Sequence, residues 1–167
     1  MTAHHTSKHW HIFRHGLATH SKTGYGDKIL TAEILPEGIP PVKRIGAYLR
    51  EIPYDFGACS EFIRCRQTAA IVSEITGRGF VPDARLNEQY QESFDAVRDR
   101  VRAFVIEMQQ SPHQHIWVCT HGIVIAALKH LILTGSFAQK DELDYILPGE
   151  ILVIHAGESQ VIRLNGD

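Results

Sequence analysis

Short apolar runs alternate along the chain with longer stretches in which apolar residues recur every three or four positions. The short runs predict strands over residues 10–13, 56–60, 80–81 and 116–119, and a final hairpin of 151–154 and 161–164 around a turn at 156–159. Helical spacing predicts helices over residues 42–52, 62–75, 94–108 and 123–133. Strands that alternate with helices indicate an α/β fold. We expect a three-layer α/β/α sandwich with a mostly parallel central sheet, to which the hairpin adds antiparallel edge strands.

The composition is that of an ordinary globular protein and argues against some classes of binding partner. The 167 residues, 44% of them hydrophobic, suffice for one core, so we predict a single domain over residues 1–167. Seventeen Lys and Arg residues against nineteen Asp and Glu residues give a net charge of −2, which argues against a nucleic-acid partner. No apolar run reaches the roughly 20 residues of a membrane span, and no secretory leader is visible. Three cysteines do not make a disulfide framework, so we predict a cytoplasmic protein. The oligomeric state is left open.

Polar residues able to do chemistry follow two of the predicted strands. Arg14-His15-Gly16 comes after the first strand, and Thr120-His121-Gly122 comes after the strand at 116–119. The helix start after residue 60 carries Arg64 and Arg66, and a helix start favours anions. Two residues apart on a helix, these arginines cannot share a face, so at most one can point at a ligand. Taken alone, His15 is as compatible with a buried or surface histidine beside an arginine as with a functional one, and His121 is more typical of a histidine that caps a core helix.

The three segments together resemble a known family. FRHG (13–16), S-x-x-x-R-x-x-Q-T-A (60–69) and THG (120–122) occur in this order, each after a predicted strand. This combination resembles the histidine phosphatase superfamily, which has a phosphoglycerate mutase-like fold, and the similarity runs from about residue 11 to about residue 133. The resemblance implies that His15 is a nucleophile that is transiently phosphorylated. It also implies that Arg14 and Arg64 clamp the phosphate, that Arg66 lies outside the clamp, and that His121 hydrogen-bonds a phosphoryl oxygen.

The resemblance also implies a proton donor and further phosphate ligands. In this family the general acid is often the Glu of an L-x-E element, which Leu86-Asn87-Glu88 matches, so Glu88 is the expected acid, with Glu92 as the alternative. Relatives often carry an acidic or amide residue after the first Gly and an Asn nearer the phosphate. Here Leu17 and Ala18 follow that Gly, and Ser21 stands roughly where the Asn would be. The expected phosphate-binding set is therefore Arg14, Arg64, His121, Gly122 and Ser21.

The short connection after Glu88 favours hydrolysis over phosphoryl transfer. Mutases that resemble this fold carry a sizeable insertion after the L-x-E element, whereas here the next helix follows almost at once. With no such cap the site is open to water. We therefore expect a phosphomonoesterase that needs no metal or cofactor and acts on a small phosphorylated metabolite or a phosphoprotein. A phosphoglycerate mutase-type phosphotransferase and a protein phosphohistidine phosphatase are the alternatives.

The cysteine and histidine spacings bear on two other classes of protein, cysteine phosphatases and zinc proteins. The five-residue Cys-to-Arg spacing of cysteine phosphatases is not met, because four residues separate Cys59 from Arg64 and six separate it from Arg66. The three cysteines are therefore expected to be small core residues. A zinc site is conceivable where His9 and His11 alternate on one strand and His113 and His115 repeat that spacing, although no further ligand element joins them. A binding module that has lost catalysis is disfavoured because every expected catalytic position is filled.

Overall fold

The computed structural model describes residues 7–21, 23–143 and 146–164. Its strands are β1 (His9–Arg14), β2 (Phe56–Cys59), β3 (Val81–Pro82), β4 (His115–Thr120), β5 (Glu150–His155) and β6 (Glu158–Arg163). Its α-helices are α1 (Ile39–Leu49), α2 (Ile63–Thr76), α3 (Phe94–Gln110) and α4 (Gly122–Thr134). A short 3₁₀ turn, Ala84–Leu86, precedes α3. The predicted order of strands and helices is confirmed.

One mixed sheet forms the centre of the molecule, in the order β3-β2-β4-β1-β5-β6. β1, β2, β3 and β4 are parallel, while β5 runs antiparallel to both β1 and β6. The final hairpin therefore adds the antiparallel edge that the sequence predicted. Its turn is shorter than expected: Ala156 and Gly157 both have positive φ, 52° and 78°, so two residues reverse the chain.

Apolar side chains cover both faces of the sheet, which makes three layers. α1 and α2 pack together on one face, over a cluster that includes Phe13, Leu49 and Trp117. α3 and α4 pack on the other face, over a cluster that includes Trp10 and Phe104. Successive β1 side chains enter opposite clusters, as the period of a strand requires. The α/β/α sandwich is confirmed.

Two smaller expectations are refined by the structure. α1 ends at Leu49 and leaves Ile52 outside, because the following Pro53 disfavours helical geometry at the residue before it. The three cysteines are free and buried, as small core residues would be. Burial raises the pKa of Cys59 to about 12, so this thiol stays protonated and unreactive.

Candidate active site

The pairing of β1 with β4 brings the two predicted histidines together. Arg14 lies opposite Thr120 at the carboxyl ends of these adjacent parallel strands, so the next residue of each strand emerges at the same sheet edge. The ring centroids of His15 and His121 are 5.2 Å apart, and both side chains are buried. The carboxyl edge of a parallel sheet is where α/β proteins bind ligands.

His15 is held as a neutral imidazole with one nitrogen directed into the cluster. Its Nδ1–H donates to the carbonyl of Gly16 at 2.8 Å, which leaves Nε2 as the atom with a lone pair. That Nε2 accepts from Nε–H of Arg64 at 3.3 Å. Burial, followed by the charges of Arg64 and Arg14, lowers the pKa of His15 to about 3. At neutral pH, Nε2 is therefore a potential nucleophile.

Gly16 is required by packing rather than by access of a ligand. A Cβ here would lie 2.9 Å from Cγ2 of Val42 and 3.1 Å from the carbonyl of Gly38. The residue instead lets the chain after β1 pass close to the start of α1. Its N–H donates to Oγ1 of Thr68 at 2.9 Å, and Thr68 in turn donates to the carbonyl of Arg64. α2 is tied to the His15 turn in this way.

Arg64 joins both imidazoles from the first turn of α2. It is fully buried, and its Nη1–H donates to the carbonyl of Ile29 at 2.5 Å. Its Nη2–H donates to Nδ1 of His121 at 3.3 Å, and the ring of Tyr25 lies 4.0 Å from its guanidinium. Arg66, two residues later, is exposed. Of the two arginines, Arg64 is therefore the one that contacts the cluster.

A hydrogen-bond chain fixes the tautomer of His121. Oδ1 of Asn87 accepts from the backbone N–H of Glu61 at 2.8 Å, which identifies this atom as the oxygen. The hydroxyl of Ser60, 3.0 Å away, must therefore donate to it. Oγ of Ser60 is then an acceptor for the N–H of Phe62 and for Nε2–H of His121, at 3.1 and 2.9 Å. His121 thus carries its proton on Nε2 and presents Nδ1 to Arg64.

The electrostatics around His121 favour its neutral form in this arrangement. Burial, then the charges of His15, Arg64 and Arg14, hold the pKa of His121 well below its usual value. The charges of buried Arg64 and half-buried Arg14, beside two neutral imidazoles, leave the cluster with an excess of positive charge. A dianionic group would neutralise that excess.

Glu88 lies beside His121, and Glu92 does not. Oε2 of Glu88 is 3.9 Å from Nδ1 of His121, and burial raises the pKa of this carboxyl group above its usual value. Glu92 instead forms an ion pair with Arg100, with contacts of 2.6 and 3.2 Å. The geometry brings the first of the two candidate acids to the cluster.

Arg14 and Gly122, two further predicted phosphate ligands, differ in how they relate to the cluster. Arg14 donates to the carbonyl of Ile146 at 3.4 Å, and its charge acts on His15, His121 and Glu88. Gly122 is the buried first residue of α4, so its N–H belongs to a helical turn with no acceptor within the helix.

Ser21 is not joined to the cluster by these contacts. The residue is exposed, its Oγ accepts from the N–H of Ala18 at 3.0 Å, and it shares a 3.0 Å hydrogen bond with the hydroxyl of Tyr25. Because Tyr25 covers Arg64, Ser21 contacts the site through that ring.

Comparison with a family model decides the identity of this fold. The model of the histidine phosphatase superfamily (branch 1) matches residues 10–91 and 87–165. The chain belongs to the histidine phosphatase superfamily. A search of curated proteins finds no match.

Solved structures of several phosphatases share the fold at low sequence identity. A putative alpha-ribazole-5′-P phosphatase from Escherichia coli superposes with a TM-score of 0.76 at 18% identity, over 95% of this chain and 97% of that one. A mycobacterial glucosyl-3-phosphoglycerate phosphatase complexed with VO3 gives 0.71 at 19% identity, over 87% and 92%. The protein histidine phosphatase SixA complexed with tungstate gives 0.62 at 14% identity, over 92% and 94%. At these identities the likeness shows the fold alone.

Two cavities differ in their position relative to the cluster of His15, Arg64 and His121. One of about 330 Å³ has Glu88 in its wall and so adjoins the cluster. A larger one, of about 780 Å³, is lined by Trp10, Ile154 and His155, at the amino-terminal part of β1 and the end of β5. It lies at the other end of β1 from His15, so the larger cavity is not the one beside the cluster.

The histidine pairs considered for zinc are arranged as stacks. The ring of His9 lies between those of His115 and His155, at centroid distances of 4.6 and 3.6 Å, and His113 stacks on Phe56. Stacked rings turn their faces to one another, whereas ligands direct nitrogen lone pairs at one point. Within residues 7–21, 23–143 and 146–164, no group of three or more His, Cys, Asp or Glu side chains is arranged to hold a metal ion. In the same ranges no helix is long and apolar enough to cross a membrane.

Several residues that support the site could not be assigned a positioning role from the sequence. Ser60, Thr68 and Asn87 all lie inside the quoted motifs, yet their positioning contacts depend on side chains that meet across the fold. Their occurrence in the S-x-x-x-R-x-x-Q-T-A and L-x-E patterns was the available signal. Tyr25, over Arg64, had no comparable signal.

Proposed function

We propose that this chain is a phosphomonoesterase that acts through a phosphohistidine at His15 without a metal ion. The observation that carries the proposal is the state of His15: Nδ1–H is held by a backbone carbonyl, and Nε2 keeps a lone pair beside Arg64 and His121. Such a nitrogen is a competent nucleophile because it is neutral and oriented. Phosphoryl transfer otherwise needs mainly positioning and charge stabilisation.

In the first step, Nε2 of His15 attacks phosphorus, and the bond from phosphorus to the ester oxygen breaks. Arg14 and Arg64 stabilise the negative charge on the equatorial oxygens, with Gly122 as a further backbone donor. Arg64 exchanges its hydrogen bond to Nε2 for one to a phosphoryl oxygen. Glu88, whose pKa is raised by burial, donates its proton to the departing alkoxide.

In the second step, water attacks the phosphorus of phospho-His15. The Glu88 carboxylate takes a proton from that water, the bond from nitrogen to phosphorus breaks, and inorganic phosphate leaves. His15 and the carboxylic acid of Glu88 are thereby restored, so the cycle balances with one water consumed.

His121 changes protonation when a phosphoryl group enters. Its Nδ1 is an acceptor in the tautomer set by Ser60, so it can donate to a phosphoryl oxygen only as an imidazolium. A phosphate dianion offsets the charges of Arg64 and Arg14 that keep its pKa low. Substrate binding therefore favours the imidazolium form.

The short connection after Glu88 supports hydrolysis rather than mutase chemistry. Only residues 87–93 separate the 3₁₀ turn from α3, so no inserted segment covers the cleft at this point. One sheet that draws strands from residue 9 to residue 163 supports the proposal of a single domain over residues 1–167. Three free cysteines support a cytoplasmic location.

The decisive experiment is to trap the phosphoenzyme. Brief reaction with ³²P-labelled phosphoramidate, followed by mass spectrometry at alkaline pH, should place an acid-labile phosphate on His15 and on no residue of the His15→Gln variant. Phosphate on a serine or cysteine would contradict the mechanism. Hydrolysis of p-nitrophenyl phosphate should persist after dialysis against a strong chelator, and loss of activity there would contradict metal independence.

A further inference from the structure

The cavity of about 330 Å³ beside Glu88 is placed to receive the part of the substrate that leaves. Glu88 belongs both to its wall and to the cluster, at 3.9 Å from His121. In the proposed mechanism the same carboxyl group protonates the departing oxygen. The group bonded to that oxygen must therefore extend past Glu88, into or along this cavity.

The cavity offers an apolar wall. Leu30, Phe62 and Tyr90 line it, and Leu30 and Tyr90 are 45% and 36% exposed. Large apolar side chains left open to water around a concave surface mark a place where apolar area can be buried by a ligand. A flat or aliphatic group of the substrate would bury them.

Among the described residues of the cavity wall, the one cationic side chain is already engaged by other groups of the protein. Arg100 is the arginine of this wall, and its Nε–H and one Nη2–H are taken by the carboxylate of Glu92. Its Nη1 and Nη2 also donate to the carbonyls of Arg85 and Asn87, both at 2.7 Å. Four of the five guanidinium donors are thus committed within the protein. A carboxylate or second phosphate placed here would face the side chains of Glu88 and Glu92.

We propose that the enzyme selects phosphomonoesters whose leaving alcohol is uncharged and carries an apolar face, and that this cavity makes the selection. The inference rests on the proposed function, since it assigns the leaving group to the position of Glu88. The selection has an attractive part, burial against Leu30 and Tyr90, and a repulsive part, the carboxylate of Glu92, since Glu88 is protonated when the ester binds.

Three alkyl phosphates of similar leaving-group basicity test the inference. 2-Phenylethyl phosphate is uncharged beyond the phosphate and apolar, glycerol 1-phosphate is uncharged and polar, and 3-phosphoglycerate adds a carboxylate to a glycerol-sized skeleton. We expect kcat/KM to fall in that order, by roughly tenfold at each step, from lost apolar burial and then from like-charge repulsion. Equal values, or 3-phosphoglycerate as the best substrate, would overturn the inference.

Two variants with a matched control assign the selection to the cavity. Leu30→Ala should lower kcat/KM for 2-phenylethyl phosphate severalfold and leave that for glycerol 1-phosphate nearly unchanged. Ile106→Ala, an equally exposed truncation on α3, should change neither. Glu92→Gln should raise the ratio of 3-phosphoglycerate to glycerol 1-phosphate, because it removes one carboxylate and frees donors of Arg100. An unchanged ratio in both cavity variants would refute the assignment.

Binding to the His15→Ala variant separates this inference from the proposed function. Calorimetry with the same three esters should give the same order of affinity whether or not the wild type hydrolyses them. If the order holds and no ester is hydrolysed, the phosphatase proposal fails and the cavity assignment stands. If hydrolysis occurs and the order is reversed, or a phosphohistidine peptide far exceeds all three esters in kcat/KM, the cavity assignment fails and the phosphatase proposal stands.

Discussion

Replacing Ser60 by Ala removes the atom that fixes the tautomer of His121. Oγ of Ser60 accepts from two buried donors, Nε2–H of His121 at 2.9 Å and the N–H of Phe62 at 3.1 Å, and donates to Asn87 at 3.0 Å. In Ser60→Ala the two N–H groups lose this acceptor, with the sulfur of Cys65, 3.5 Å from Nε2, as a weak substitute. Each buried donor left without a good acceptor costs about 1–3 kcal/mol, so the loss of both should lower the free energy of unfolding by about 2–6 kcal/mol.

The same change should reduce catalysis, because an imidazolium at His121 is stabilised by the Ser60 oxygen. A hydrogen bond to a charged group contributes about 1.5–3 kcal/mol, which corresponds to a decrease of roughly ten- to a hundredfold in kcat/KM. Nitrogen-15 chemical shifts of the imidazole should show His121 leaving the Nε2–H tautomer. Ser93→Ala is the matched control: it removes the cap of α3, where Oγ accepts from Ala96 at 3.1 Å, and so lowers stability without contacting the cluster. If Ser60→Ala lost stability but kept its tautomer and its kcat/KM, the hydrogen-bond chain would not position His121.

Three further predictions follow from the geometry. Glu88→Gln should lower the rate heavily for alkyl phosphates and far less for p-nitrophenyl phosphate, whose phenolate leaves without a proton; steady-state rates with both esters check this, and equal losses would exclude Glu88 as the acid. Arg64→Ala should lower kcat/KM roughly a hundredfold or more, while Arg66→Ala leaves it nearly unchanged, and comparable losses would mean that the phosphate lies elsewhere. Burial lowers the pKa of His11 to about 4, against 6.5 in the unfolded chain. Neutral His11 therefore contributes fully to the free energy of unfolding above about pH 6.5, and this contribution is lost as the pH falls towards 4. Urea unfolding measures the drop in the free energy of unfolding from about pH 7.5 to about pH 5. This drop should be about 2 kcal/mol smaller in His11→Leu than in the wild type, and equal drops would show that His11 does not change protonation on unfolding.

The sequence predicted the parts of the site that depend on residue type at a strand end. Periodicity located β1 and β4, and a histidine directly after each strand had to emerge at the same sheet edge if the strands were parallel. Local helix geometry likewise separated Arg64 from Arg66. These inferences need only the regular geometry of a single strand or helix and the residue that follows it in the sequence.

The parts that were missed depend on contacts between distant side chains or on irregular backbone. No spacing rule shows that Asn87 meets Ser60, because a loop conformation brings them together. Counting residues predicts Ser21 at the phosphate, which stays a prediction. In the structure His20 adopts a positive φ of 68°, and the Ser21 hydroxyl accepts from the N–H of Ala18. Residue spacing predicts the position of a side chain only within a regular helix or strand.

The pairing of β1 with β4 has a consequence for how activity arises during biosynthesis. His15 is made early and His121 roughly a hundred residues later, and the two imidazoles meet only when β4 inserts between β1 and β2. A nascent chain that has not yet exposed β4 from the ribosome can form α1 and α2, whose contacts are local, yet it holds only one of the two histidines. Closing so long a segment is slow compared with helix formation. Phosphatase activity in a refolding or translation reaction should therefore emerge after most of the helical signal, and its lag would time the insertion of the central strand.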